Sequence, residues 1–268
     1  MRRFWTGAEG TSPPGVVQGG IIADEMGMGK TLEVLALVLA NPAPADWEGG
    51  KTLVVCPVGL VAQWVAEARK CLENPGLIYV HHGARRRKNV EFLKTCNLVV
   101  TTYGIVTRDE CLGTVDWHRV VMDESHIVRR PDTQRYRTCA SLKSKHTWCV
   151  TGTPIVGGHV NELYWQMRLV IPSLCICRTM MSWNHQGFVH LLSKCMTRHT
   201  KSMRVNGAPI LELPNMRMET VELNLNEASL AQYKRMTSNF AQVCRSTTMA
   251  RIMVIINRLR RRCSSGIA

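Results

Sequence analysis

Six short apolar runs punctuate the first part of the chain: GGIIAD (19–24), TLVVC (52–56), LIYVHH (77–82), NLVVTTY (97–103), RVVMDE (119–124) and TWCVTG (147–152). They are rich in Val, Ile and Thr, and their apolar residues follow one another instead of alternating with polar ones. That is the pattern of strands covered on both faces. Stretches of helical periodicity lie between them, among them KTLEVLALVLA (30–40) and LVAQWVAEARKCL (60–72). Strand, helix, strand in this rhythm predicts an α/β fold built on a parallel, doubly wound sheet. In such sheets ligands bind beyond the carboxyl ends of the strands. Three polar segments fall there: DEMGMGKT after the first run, DESH closing the fifth and TGTP after the sixth.

Residues 40–51, ANPAPADWEGGK, read as a Pro/Gly loop. Beyond about residue 157 the rhythm changes. GGHVNELYWQMRLV reads as a helix, PSLCICRTMMSWN as irregular, and FVHLLSKCMTRHTK (188–201) as a second helix. NGAPILELPNMRMETVELNL suggests short extended pieces. NEASLAQYKRM and MARIMVIINRLRRRC read as helices, the first with Asn226 as its N-cap. The expected organisation is an N-terminal segment (1–15) expected to be disordered, an α/β lobe (16–205) and a mainly helical extension (206–268).

Composition narrows the classes. A hydrophobic fraction of 45% and a charged fraction of 20% describe a globular chain. No run approaches the roughly 18 apolar residues that a bilayer span needs, and MRRFWTGAEG has no apolar segment of a secretory signal behind its basic residues. No membrane partner is expected. The 11 cysteines are scattered, several inside apolar runs, which suits buried free thiols in a reducing compartment. Cys175, Cys177, His185, His190 and Cys195 form a loose cluster, but C-x-C followed by widely spaced histidines is not a finger or RING spacing, so zinc is not expected. The net charge of +14 points to a polyanionic partner such as nucleic acid. Arg85–Lys88 and Arg260–Arg262 are basic runs that either contact nucleic acid or form solvated faces.

The chemistry lies in the three polar segments. Asp24-Glu25-Met26-Gly27-Met28-Gly29-Lys30-Thr31 resembles a phosphate-binding loop, although Asp24 stands where the general pattern has its first glycine. Gly27 and Gly29 allow a tight turn that brings backbone N–H groups to phosphate oxygens. Lys30 supplies a charge, Thr31 a hydroxyl for Mg²⁺, and the following helix points its positive end at the anion. In Asp123-Glu124-Ser125-His126, Asp123 is the candidate metal ligand and Glu124 the group that orients and deprotonates an attacking water. Thr151-Gly152-Thr153-Pro154 alone would be only a turn. The order of the three segments, each after a separate strand, makes chance unconvincing.

With these segments the sequence resembles the first ATPase lobe of the SWI/SNF-type DNA translocases of helicase superfamily two, a RecA-like P-loop NTPase lobe. In that family the loop is commonly D-E-M-G-L-G-K-T, so a missing first glycine is normal. LVVCP through Gln63-Trp64, VVTTY (99–103), DESH as a variant of the DEAH box, TGTPI, Arg198-His199-Thr200-Lys201, ILELP (210–214) and LRRRC (259–263) resemble further family elements, over roughly residues 16–268. GGIIADEMGMGKTLEVLAL is most similar to the postreplication-repair branch, whose members often carry a RING domain.

The resemblance implies ATP and Mg²⁺ as cofactors, double-stranded DNA and chromatin as partners, and a nuclear location. It also implies roles for His126, Thr151 and Thr153 in coupling hydrolysis to DNA. Gln63, Thr101 and Thr102 are candidate DNA-backbone contacts, because amide and hydroxyl donors at strand ends suit sequence-independent binding. Two departures stand out. Val156-Gly157-Gly158 replaces the usual Gln-Asn after TGTPI, so coupling is expected to differ, and no adenine-recognition element is evident in the first fifteen residues. The family's second lobe, with its arginine finger, is missing from this sequence and is expected as a partner in cis or in trans; without it hydrolysis should be weak, since such a finger is worth ~10³–10⁵ in rate. The alternatives are a catalytically weak fragment that binds DNA or a protein partner, and a DEAH-type RNA helicase. TGTP in place of S-A-T argues against the helicase.

Overall fold

The computed structural model describes residues 19–71, 77–172, 185–211, 217–220, 224–243, 256–257 and 260. The chain divides into two compact units, 1–211 and 212–268. The first holds a sheet of seven strands, all parallel, in the order β3-β4-β2-β5-β6-β1-β7.

The strands are β1 (Gly19–Ile22), β2 (Gly50–Cys56), β3 (Ile78–Val80), β4 (Leu98–Thr102), β5 (Trp117–Asp123), β6 (Ser144–Val150) and β7 (Met196–Thr197). The helices of this unit are α1 (Lys30–Ala40), α2 (Val61–Cys71), α3 (Val90–Thr95), α4 (Tyr103–Val106), α5 (Cys111–Thr114), α6 (Gln134–Ala140), α7 (Asn161–Val170) and α8 (His185–Cys195). No helix among the described residues is long and apolar enough to cross a membrane.

The consecutive apolar runs have the expected consequence. Because side chains alternate across a strand, Ile21, Leu53, Val55, Val99, Val120, Met122 and Cys149 go to one face, in a core cluster with α3 to α7. Ile22, Val54, Cys56, Val100, Val121 and Val150 go to the other, in a cluster with Val34 and Leu35 of α1 and Trp64 and Ala68 of α2. All six expected strands are present; β2, β4 and β5 are buried on both sides, whereas β6 is buried only at its carboxyl end.

One expectation is corrected. The stretch 188–201 does not stay helical: α8 ends at Cys195, and Met196–Thr197 pair with Ile21–Ile22 as a seventh strand. The Ala23 amide donates to the Thr197 carbonyl at 2.8 Å, so sheet pairing at the free edge of β1 overrides the local helical pattern. Of the extended pieces expected after 206, a small hairpin of β8 (Arg204–Val205) and β9 (Ala208–Pro209) is seen.

In the second unit, α9 (Glu227–Val243) starts as expected at Asn226, whose Oδ1 accepts from the Ser229 amide at 2.9 Å. The N-terminal segment 1–15 and nearly all of 249–263 lie outside the described residues.

Candidate functional site: a phosphate loop braced by β7 and facing β5

Residues Asp24 to Gly29 link β1 to α1. Gly27 and Gly29 both have left-handed backbones, at φ 84° and 88°. A Cβ at Gly29 would meet nothing within 4 Å, so its backbone conformation, not crowding, is what favours glycine. Gly29 caps α1 without a side chain, which leaves the first-turn amides free to meet an anion at the positive end of the helix. The Lys30 ammonium lies across the loop, donating to the carbonyls of Asp24 (2.7 Å) and Glu25 (2.9 Å). No carboxylate within salt-bridge distance pairs it among the described residues. A lysine held only by neutral carbonyls beside uncapped amides is a donor set that fits a phosphate chain.

The acids that open the loop have a different role. Asp24 is buried, and its carboxylate accepts from the His199 amide (2.8 Å) and lies 3.0 Å from that imidazole's Nδ1. Glu25 Oε2 accepts from the Lys201 amide at 2.6 Å, and the Glu25 amide donates to the His199 carbonyl. Arg198 reaches the Ala23 carbonyl at 2.8 Å. The residue in place of the first glycine is thus a brace: it fastens the loop to the segment after β7. Asp24 and Glu25 shape the loop through these contacts. Met26 is two-thirds exposed, with its side chain beside Gly152 of the TGTP turn.

At the end of β5, Asp123 is 7% exposed. Its Oδ2 accepts from the Trp64 indole N–H at 2.7 Å and its Oδ1 from the Glu124 amide at 2.9 Å. Burial holds its carboxyl above the usual carboxylate range, against the lowering effect of the indole hydrogen bond. A nearby divalent cation would favour its charged form, and each oxygen keeps a lone pair to offer. Thr31 and Asp123 are therefore the residues that would hold Mg²⁺, which when bound would neutralise phosphate charge.

Glu124 has a left-handed backbone, φ 52° and ψ 47°, unusual for a residue with a long side chain. Its Oε2 lies 3.1 Å from His126 Nδ1, and the same nitrogen is 3.0 Å from the Thr151 hydroxyl. Thr151 Oγ1 also accepts from the Thr153 amide at 3.2 Å. His126, Thr151 and Thr153, expected to couple hydrolysis to DNA, form one chain of contacts ending at Glu124.

The other candidates are elsewhere. Thr101 and Thr102 end β4, two strands from β5. Thr101 has no exposed surface and its hydroxyl donates to the His81 carbonyl at 2.8 Å, so burial takes it out of reach of a DNA backbone. Thr102 is 5% exposed at the start of α4. Gln63, by contrast, is exposed on the first turn of α2. Among the described residues no group of three or more His, Cys, Asp or Glu is placed to hold a metal; Cys175 and Cys177 lie outside them. Cys195 is buried, and burial pushes its thiol up to about 11. Nothing in the sequence signals that Trp64 acts on Asp123, although Gln63-Trp64 resembles a family element.

A seven-stranded parallel sheet with a glycine-turned loop after β1, paired acids after β5 and a threonine turn after β6 defines a RecA-like nucleotide-binding lobe. The family follows from comparison with known proteins: a model of the SNF2-related domain matches residues 15–266, and the chain belongs to that family. Drosophila melanogaster transcription termination factor 2 is 28% identical over 263 residues, covering 81% of this chain and 25% of its own length. The Emericella nidulans DNA repair protein rad5 is 30% identical over 319 residues, covering 93% and 26%. Rad5 proteins recur among the relatives, in keeping with the branch that the loop sequence resembled. The solved SWI2/SNF2 ATPase core of Sulfolobus solfataricus in complex with double-stranded DNA is similar with a TM-score of 0.56 and 26% identity, over 91% of this chain and 53% of that one. The chain spans about a quarter of the length of these curated relatives.

Proposed function

We propose that this chain is the ATP-binding lobe of a DNA-dependent ATPase that moves along duplex DNA in repair or chromatin remodelling, in the nucleus. The observation that supports the reading is that Lys30 and Thr31 open the helix after β1 while Asp123 and Glu124 end β5, with the charge of Lys30 felt at Asp123 and with Glu124 in contact with His126 and, through it, Thr151. Lys30 and the first amides of α1 bind the phosphates. Thr31 and Asp123 hold Mg²⁺. Glu124 orients the attacking water and takes its proton. A second lobe, in cis or in trans, completes the nucleotide site and adds DNA contacts; turnover by this chain alone is then slow.

The test is equilibrium binding of a fluorescent ATP analogue with Mg²⁺. Removing a charge-assisted contact worth about 1.5–3 kcal/mol, Lys30→Ala should weaken binding roughly 10- to 150-fold. Equal affinity of the variant and the unaltered chain would refute the loop assignment.

A further inference from the structure

The DESH turn and the loop after β6 are joined by a second set of contacts that the Glu124–His126–Thr151 chain does not include. Ser125 is fully buried, and its hydroxyl donates to Gln166 Oε1 at 2.7 Å. Gln166, on α7, is fully buried too. Its amide group donates to the Pro154 carbonyl at 2.7 Å and approaches the Glu162 carbonyl at 3.3 Å. One side chain thus ties the residue after Glu124 to the last residue of TGTP.

One turn earlier on α7, Glu162 makes a parallel connection. Its Oε2 accepts from the amides of Val156 (2.8 Å) and Gly157 (3.0 Å), and its Oε1 lies 3.1 Å from Arg129 Nε. Arg129 donates in turn to the His126 carbonyl at 3.1 Å. A Cβ at Gly157 would come within 2.5 Å of Glu162 Oε1, so glycine there lets the carboxylate close on the loop. These amides belong to the Val-Gly-Gly segment.

We propose that Gln166 is a positioning residue that transmits the state of the nucleotide site from Ser125 to the loop 153–158, with Glu162 and Arg129 as a second strut. The inference rests on the ATP-site reading above. An apolar pair at 125 and 166 would fill the same space and link nothing. A buried serine–glutamine pair with every contact made holds two loops in one relative register, because leaving either partner alone in the core is costly. Movement of Glu124 on binding nucleotide then reaches Pro154 through one side chain on a helix packed against β6 and β1. Ile155 and Val156, which the struts carry, are exposed.

Contacts alone do not demonstrate coupling, so the test reads the loop while the site is filled. Hydrogen exchange of the 153–158 amides is followed in the whole chain, with and without a slowly hydrolysed ATP analogue and Mg²⁺, while the analogue's affinity is measured separately. In the unaltered chain nucleotide should change exchange in this segment at least about fivefold, the lower end of ordinary coupling. Gln166→Met keeps the volume; it should still bind the analogue but show a clearly smaller response, the remainder passing through Glu162 and Arg129. If Gln166→Met does not fold, S125A/Q166M carries the test, since it strands no hydroxyl: it should fold and show the same reduced response. A response of full size in either folded variant, or none in the unaltered chain with analogue bound, would overturn the proposal alone. No binding of the analogue by the unaltered chain would overturn the ATP-site reading and this proposal together.

Discussion

At the scale of single residues, the role proposed for Glu124 is set against the strain of its backbone. A left-handed backbone costs a residue with a Cβ about 1–2 kcal/mol, a cost that glycine escapes. Glu124→Gly should therefore unfold at the same or a higher temperature than the unaltered chain, with hydrolysis abolished. Glu124→Gln should keep the melting temperature within a degree or two, keep nucleotide binding, and also lose turnover. A lower melting temperature for the glycine variant would mean that the conformation is unstrained, or that the contact with His126 outweighs the strain. Lys30, Asp123 and Glu124 stand out in the sequence as candidates because the roles proposed for them follow from residue type and local spacing. Asp24, Trp64 and Gln166 were not legible in the same way. What each does depends on a partner 175, 59 or 41 residues away, which only the folded sheet brings near.

At the scale of elements, β5 joins two opposite environments. Its carboxyl end carries the acids of the site. At its amino end His118 is 3% exposed, with an unpartnered Nδ1 and edge-on contacts to Trp47 and His146. Burial, aided by the charges of Arg119, His146 and Lys145, pushes this imidazole down to about 4. Free histidine titrates near 6.5, so between pH 6.5 and 4 the unfolded chain takes up the proton that the folded one refuses. Stability is complete above 6.5 and falls as the pH drops towards 4, by roughly 3 kcal/mol at about 1.4 kcal/mol per pH unit. His81, also held low by burial, adds in the same direction. His118→Phe keeps the ring packing and removes the proton site. Its melting temperature should drop less than that of the unaltered chain between pH 7.5 and 4.5, by roughly 5–10 °C. An unchanged difference between the two pH values would show that His118 is not the acid-sensitive group. Strands of four or more apolar residues, such as β5, were readable from the sequence. The two-residue β7 was not, because its pairing with β1 outweighs a helical pattern that is equally plausible locally.

At the scale of the whole molecule, sheet order separates the site loops. The candidate site is built from the loops after β1, β5 and β6 and the bracing segment after β7, whereas β2, β4 and β3 lie to the other side of β5. The basic run after β3 belongs to that second half. Of its four cations Arg86 is spent inside the protein: it pairs with buried Asp109 at 2.5 Å, whose carboxyl, despite burial, the hydrogen bonds from Arg86 and His81 hold below the usual range. The Arg87 amide donates to the Tyr79 hydroxyl at 2.7 Å, and the Arg87 guanidinium lies 4.7 Å from the Phe92 ring centroid. The loop is thereby fixed to the sheet edge with Arg85, Arg87 and Lys88 exposed. Within a chain of net charge +14, these three exposed cations form a candidate patch for a DNA backbone. Each phosphate neutralised contributes about −0.9 to the slope of log K against log salt, so replacing all three with alanine should flatten the slope for duplex DNA by roughly 2.7 units. Arg86→Ala should instead lower stability by stranding Asp109, with much less effect on the slope. The same titrations, repeated with the ATP analogue and Mg²⁺, weigh the two readings of the basic charge. In a translocase lobe nucleotide and DNA shift each other's affinity by the same factor. If DNA affinity follows salt but ignores nucleotide, the positive surface binds DNA independently of the ATP site, and the chain acts as a DNA-binding module.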